Sequence, residues 1–195
     1  MLSQMFVVFQ KNKFYCFSKI SFKLIHFCYI INYMEKFYVF LDIDGVLWDW
    51  KYQKEFLKQN PHLRGRFVNK FDPKCIDALN FLLKELSKKY NVQLVLSSTW
   101  RLEFEKAISS LLNQGLLFNK KILATPIMKH DRQLEIETFL QDKPNKNNFV
   151  ILDDDYNCLD FDQNKIIKTN IANSSLSKEM VSNFLNFISQ KDHQM

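Results

Sequence analysis

The stretch Phe37-Tyr-Val-Phe-Leu-Asp-Ile-Asp-Gly-Val-Leu47 decides the reading of this chain. A strand with one wet face alternates apolar and polar residues, whereas a strand covered on both faces reads as a continuous apolar run. Phe37–Ile43 is such a run and ends in acids, so it is expected to be a buried strand of a parallel sheet. Outward from it, strand and helix patterns alternate. Lys74–Tyr90 has apolar residues at Ile76, Leu79, Leu82, Leu83 and Leu86, a helical period, with Asp72-Pro73 as cap and first turn. Asn91–Ser97 is a second buried strand, followed by helices at Glu103–Asn113 and Asp131–Gln141 with the short apolar stretch Lys121–Ala124 between them. Phe149–Leu152 is a third strand, Lys165–Lys168 a weaker one, and Leu176–Ile188 a closing helix. Strands separated by helices imply an α/β domain with a central parallel sheet.

At 195 residues, two full domains are not expected, and one domain with a short appendage fits. The three glycines, Gly45, Gly65 and Gly115, stand too far apart for a Gly-rich dinucleotide fingerprint or a P-loop. Cys16, Cys28, Cys75 and Cys158 form no C-x-x-C pair, which argues against a zinc knuckle or redox dithiol and fits a reducing cytoplasm. The net charge of +6 is unevenly distributed: residues 1–33 carry Lys11, Lys13, Lys19 and Lys23 and no acid, so the rest is only mildly basic. That opening segment is too interrupted by charge to span a bilayer, which takes about 20 apolar residues, and it has no signal-type cleavage site. Met34 stands just ahead of the first strand. The functional domain is therefore expected at 34–195, with 1–33 a leader, an over-long gene start or a basic amphipathic patch.

In an open parallel sheet, loops at the carboxyl ends of the strands gather into the ligand crevice. Here the first strand ends in Asp42-Ile-Asp44, the second in Ser97-Ser-Thr99 and the third in Asp153-Asp-Asp155. Two like charges 4 Å apart repel by about 4 kcal/mol at an effective dielectric near 20. A crowd of carboxylates at those tips needs a cation. All the candidate ligands are hard oxygens, which points to Mg²⁺ and so to phosphate chemistry. A calcium loop is a poor rival, because the motif follows a strand and its fifth and twelfth positions would be Val46 and Gln53.

These residues resemble a known superfamily. Val39-Phe-Leu-Asp-Ile-Asp-Gly-Val-Leu47 looks like the first motif of the haloacid dehalogenase-like (HAD) superfamily, Leu94-Val-Leu-Ser97 like its second and Val150-Ile-Leu-Asp-Asp154 like its acidic fourth. More narrowly, Leu96-Ser-Ser-Thr-Trp-Arg101, Thr125-Pro126, Arg132 with Glu135-Ile136, and Ile151-Leu-Asp-Asp-Asp155 are similar to the HAD domains associated with Swiss-Army-Knife RNA-repair proteins. The resemblance covers about residues 37–188. It implies a three-layer Rossmann-like fold with a small cap insertion at 48–71.

Carried onto these positions, the resemblance implies that Asp42 attacks phosphorus and that Asp44 serves as general acid and base. It implies Mg²⁺ held by Asp42, the backbone carbonyl of Asp44 and Asp153, with Asp154 as a further ligand or behind one. Ser97 would bind a phosphoryl oxygen, aided by the backbone around Ser98, a stretch that also suits an N-cap for a helix near Trp100. The positive residue is Arg132 or Lys129, and Arg101 has no assigned role. The cap interleaves Trp48, Trp50 and Tyr52 with Lys51, Lys54, Arg64, Arg66 and Lys70, a pattern that stacks bases and holds a phosphate backbone, or else roofs the core with its aromatics while the lysines sit in water. The expected activity is phosphate monoester hydrolysis on a phosphorylated substrate such as an RNA end or nucleotide, with no obligate protein partner. A phosphotransferase or phosphomutase, and a catalytically silent binding module, are the other readings. His26, His62, His130 and His193 stand apart, with only His130 near enough to Arg132 to line a site; Cys75 and Cys158 read as packing residues.

Overall fold

The computed structural model describes residues 6–10, 13–17, 34–65, 70–128, 131–156 and 159–192. Two compact units emerge, 1–35 and 36–195. In the first, β1 (Phe6–Gln10) and β2 (Lys13–Phe17) form an antiparallel hairpin with Val8 opposite Tyr15, in a segment where the sequence gives no periodicity to read.

The second unit is built on β3 (Lys36–Leu41), the central strand of a five-stranded parallel sheet. It pairs on one side with β4 (Asn91–Leu96) and on the other with β6 (Phe149–Asp153). The short β5 (Leu123–Ala124) and β7 (Ile166–Lys168) form the edges, giving the order β5-β4-β3-β6-β7. Successive β3 side chains point to opposite faces, and both faces are dry. Phe37, Val39 and Leu41 pack with α2 (Pro73–Leu86), α3 (Phe104–Asn113) and α5 (Lys178–Asp192); Tyr38 and Phe40 pack with Ile136 and Leu140 of α4 (Arg132–Leu140). The outcome is the three-layer α/β arrangement expected from the uninterrupted apolar runs.

Element boundaries follow local chemistry. Asp72 caps α2 by accepting from Lys74 N–H at 2.8 Å, with Pro73 at the first helical position. Thr99–Glu103 is a 3₁₀ turn, so the α-helix expected from Glu103 starts at Phe104. The insertion after β3 holds an element the sequence did not announce, α1 (Trp50–Gln59), capped by Asp49 and followed by a 3₁₀ turn at Pro61–Leu63. None of the α1 side chains is buried, so no apolar stripe marks it. No helix among the described residues is long and apolar enough to cross a membrane.

Register sets the site. Leu41 lies opposite both Leu96 and Leu152, and Leu96 lies opposite Ala124. The ladder continues one step beyond the strands: Asp42 N–H donates to Leu152 O, Ser97 N–H to Leu41 O and Thr125 N–H to Leu96 O, at 3.0, 2.9 and 3.1 Å. Asp42, Ser97, Thr125 and Asp153 therefore stand in one row along the carboxyl edge of the sheet.

Candidate active site

The row joins residues that the sequence holds more than a hundred positions apart. Asp42, Asp153 and Asp154 each offer a carboxylate oxygen, and the three oxygens lie within 4.8 Å of one another. Asp42 is 6% exposed and Asp153 1%. Asp153 is fixed at both oxygens, Oδ1 accepting from Asp155 N–H at 2.9 Å and Oδ2 from Arg132 Nη1 at 2.7 Å. The same Nη1 lies 3.4 Å from Asp42 Oδ1. Arg132 thus spans two of the three acids from the first position of α4, whose cap is Asp131.

Burial pushes the Asp42 carboxyl up to about 7, with Asp153 and Asp44 adding to the rise and Arg132 and the Ser98 side chain opposing it. Burial also raises Asp153, against the pull of Arg132, and raises Asp154, where the charge of Asp153 adds. Burial works against the Arg132 guanidinium, yet Asp42 and Asp153 hold its pKa above the ordinary value. One guanidinium does not offset three crowded carboxylates. A set of hard, close, desolvated oxygens with carboxyls pushed toward neutrality fits a small divalent cation such as Mg²⁺.

The approach of Asp154 depends on Gly45. That residue has φ +72°, and a Cβ placed on it would meet the Asp154 carboxyl. Asp44, two residues beyond Asp42, stands apart from the three-acid cluster and is half-buried against two indoles. Trp48 Nε1 donates to its Oδ1 at 2.9 Å, and Trp100 Nε1 lies 3.2 Å from Oδ1 and 3.0 Å from Oδ2.

The hydroxyls of the row carry a further signal. Ser97 and Thr125 are buried, and neither Oγ has a hydrogen-bond partner among the described residues. A buried donor without a partner costs about 1–3 kcal/mol, which a phosphoryl oxygen or an ordered water would recover. Ser98 has the other role expected of this stretch, accepting from Trp100 N–H at 3.4 Å as the cap of the 3₁₀ turn.

Arg101, left unassigned from sequence, is a buried structural residue. Its Nη1 donates to the carbonyls of Ser97 and Ser98 at 3.3 and 2.7 Å, and its Nη2 to Glu135 Oε1. Glu135 Oε1 also accepts from Met128 N–H at 3.0 Å. This pair ties the Ser97 loop, the loop after β5 and α4 together. The sequence offered one clue to it: Glu135 adjoins Ile136 on the face of α4 that carries Leu140, so an acid falls where the helix is buried.

Of the two basic candidates, Arg132 reaches the acids, while Lys129 lies outside the described residues, as do His130, Cys158 and Arg66. Cys75 is buried on α2 and hydrogen-bonds Ser175, and burial drives its thiol up to about 12, so it is an inert packing residue. Of the insertion's aromatics, Trp48 packs against the core and Trp50 is 57% exposed. The sequence reading missed the pairing of Trp48 and Trp100 with Asp44 and the Arg101–Glu135 lock.

The family model for the HAD domain in Swiss Army Knife RNA repair proteins matches residues 38–181. No match was found among curated proteins or among solved structures.

Proposed function

The chain belongs to the family of HAD domains in Swiss Army Knife RNA repair proteins, and from that premise we propose that it is a Mg²⁺-dependent phosphohydrolase that works through an aspartyl-phosphate on nucleic-acid or nucleotide phosphates. Membership supports a HAD-type phosphohydrolase. The convergence of Asp42, Asp153 and Asp154 within 4.8 Å, beside Arg132, carries the finer reading.

Asp42 attacks the phosphorus, and the bond from phosphorus to the leaving oxygen breaks as Asp44 gives that oxygen a proton. Water then attacks the same phosphorus and passes a proton to Asp44, the bond to Asp42 breaks, and free phosphate leaves. Arg132 and the hydroxyl of Ser97, with backbone N–H groups near Ser98, hold phosphoryl oxygens in place. One oxygen each of Asp42, Asp153 and Asp154 and the backbone carbonyl of Asp44 would hold the cation, which when bound neutralises the carboxylates and the phosphate. Arg132 therefore serves both the resting acids and the substrate.

The catalytic unit is residues 34–195, with 48–71 as a small cap that leaves the crevice open to a large substrate. Trp50, exposed on the first turn of α1 and flanked by Lys51 and Lys54, gives an incoming base a surface to stack on. A free buried thiol suits a reducing cytoplasm. The test is a panel of mononucleotides, phosphorylated RNA and DNA ends and phosphopeptides, with and without Mg²⁺. Turnover that needs Mg²⁺ and favours nucleotide or nucleic-acid phosphates supports the reading. Turnover that survives in Asp42→Asn contradicts the mechanism.

A further inference from the structure

We propose that Trp48 and Trp100 are positioning residues that clamp the Asp44 carboxylate in the orientation from which it serves the leaving group. The inference rests on the phosphohydrolase reading for what Asp44 does, and on hydrogen-bond geometry for how it is held.

Two indole donors converge on this one side chain. Trp48 Nε1 is 2.9 Å from Oδ1, and Trp100 Nε1 is 3.2 Å from Oδ1 and 3.0 Å from Oδ2. An indole N–H donates and has no acceptor capacity, so each contact has only one sense. Each carboxylate oxygen has about two lone-pair directions. Trp48 gives its one hydrogen to Oδ1, and the one hydrogen of Trp100 is shared between the two oxygens, nearer to Oδ2. Two indole hydrogens fix the plane of the carboxylate and leave it acceptor capacity with which to meet the leaving oxygen.

The indoles are themselves fixed, and from different parts of the chain. Trp48 closes the turn after β3: Asp44 and Trp48 form an isolated backbone bridge, and Leu47 N–H donates to Ile43 O at 2.9 Å. Its ring meets Trp50 edge-on at 5.2 Å. The next residue, Asp49, accepts from Tyr52 N–H and from both the N–H and the hydroxyl of Ser175, pinning the turn to the loop ahead of α5. Trp100 stands in the 3₁₀ turn that opens from Ser97-Ser98, with its ring 5.7 Å from that of Phe71. The catalytic acid is thus held from the first strand's own turn and from the loop that bears the phosphate-binding serine. An aspartate in a loop two residues past the nucleophile otherwise has free rotamers, and a misplacement of about 1 Å costs on the order of 10²-fold in rate.

Trp→Phe substitutions keep an aromatic ring and delete the donor. The diagnostic quantity is kcat/KM, which covers only steps through departure of the first product. An alkyl leaving group needs the proton from Asp44 and a 4-nitrophenolate does not. Trp100→Phe is expected to lower kcat/KM for glycerol phosphate by about tenfold or more and for 4-nitrophenyl phosphate by less than about threefold, with Trp48→Phe acting in the same sense. An equal loss on both substrates would reduce the tryptophans to packing residues and overturn the proposal.

A second readout needs neither cation nor turnover. The chain has three tryptophans, Trp48, Trp50 and Trp100, hence three indole N–H resonances in a ¹⁵N correlation spectrum. Asp44→Asn is expected to displace those of Trp48 and Trp100 and to leave that of Trp50 nearly in place. Three resonances that stay put, or that move alike, would show that no clamp exists. If the clamp appears in the spectrum of a protein without phosphatase activity, the positioning stands and the phosphohydrolase reading falls.

Discussion

Gly45 gives Asp154 the space that any side chain would occupy: a Cβ there would lie 2.5 Å from Asp154 Oδ2 and 2.7 Å from Asp154 Cβ. The third acid reaches the other two only because the turn between Asp42 and the insertion has no side chain at this point, in a backbone conformation of φ +72° that L residues seldom adopt.

Gly45→Ala is therefore expected to displace the Asp154 carboxyl and weaken divalent-cation binding by about tenfold or more, with a stability loss of about 1–3 kcal/mol from the strained φ. Calorimetric titration with Mg²⁺ and thermal unfolding measure the two effects separately. Unchanged cation affinity would detach Asp154 from the cation site.

The Arg101–Glu135 pair is buried, its side chains 6% and 1% exposed. Removing one partner of such a pair leaves a desolvated charge and costs about 3–5 kcal/mol, whereas replacing both by apolar residues is often neutral. Glu135→Ala is expected to fall in the first class by denaturant unfolding, and Arg101→Met with Glu135→Leu to regain much of the stability while still disturbing the Ser97 loop.

Much of this was legible in the sequence, and the limits are physical. Strands covered on both faces announce themselves as apolar runs, and a run that ends in acids marks the edge where ligands gather, so β3, β4, β6 and the Asp42, Ser97 and Asp153 row follow directly. Helix α1 did not, because it buries nothing and its aromatics alternate with lysines. The donors to Asp44 were hidden for another reason. Trp100 lies 56 residues from Asp44, and only the pairing of β3 with β4 brings the two loops together. Arg101 and Glu135, 34 residues apart, likewise look like surface charges until α4 packs on the sheet.

The pH dependence of stability follows from the raised carboxyls. Asp42 is pushed up to about 7 in the folded chain by burial, above the ordinary carboxylate value it has when unfolded. The folded state binds the extra proton, so this contribution is fully present below about pH 4 and is lost as pH rises through about 7. Burial raises Asp153 and Asp154 in the same sense. The metal-free protein is expected to lose melting temperature over that range, and Mg²⁺ to raise it more at pH 8 than at pH 5. At a hundredfold excess over Kd a bound cation adds about 2.7 kcal/mol. A cation effect larger at pH 5 would contradict the site.

Trp50 tests the substrate. Stacking on one exposed aromatic is worth about 1–3 kcal/mol per base, so Trp50→Ala is expected to raise KM for phosphorylated oligonucleotide ends about tenfold and to leave glycerol phosphate unaffected. Equal effects on the two would remove the base from the recognition.

The most direct measurement is to quench the protein during turnover in Mg²⁺, reduce the acyl phosphate with borohydride and sequence the peptides by mass spectrometry. The account predicts homoserine at position 42, formed only with both substrate and Mg²⁺ present and absent from Asp42→Asn. An unmodified Asp42 in a protein that is turning over, with label elsewhere or nowhere, would contradict it.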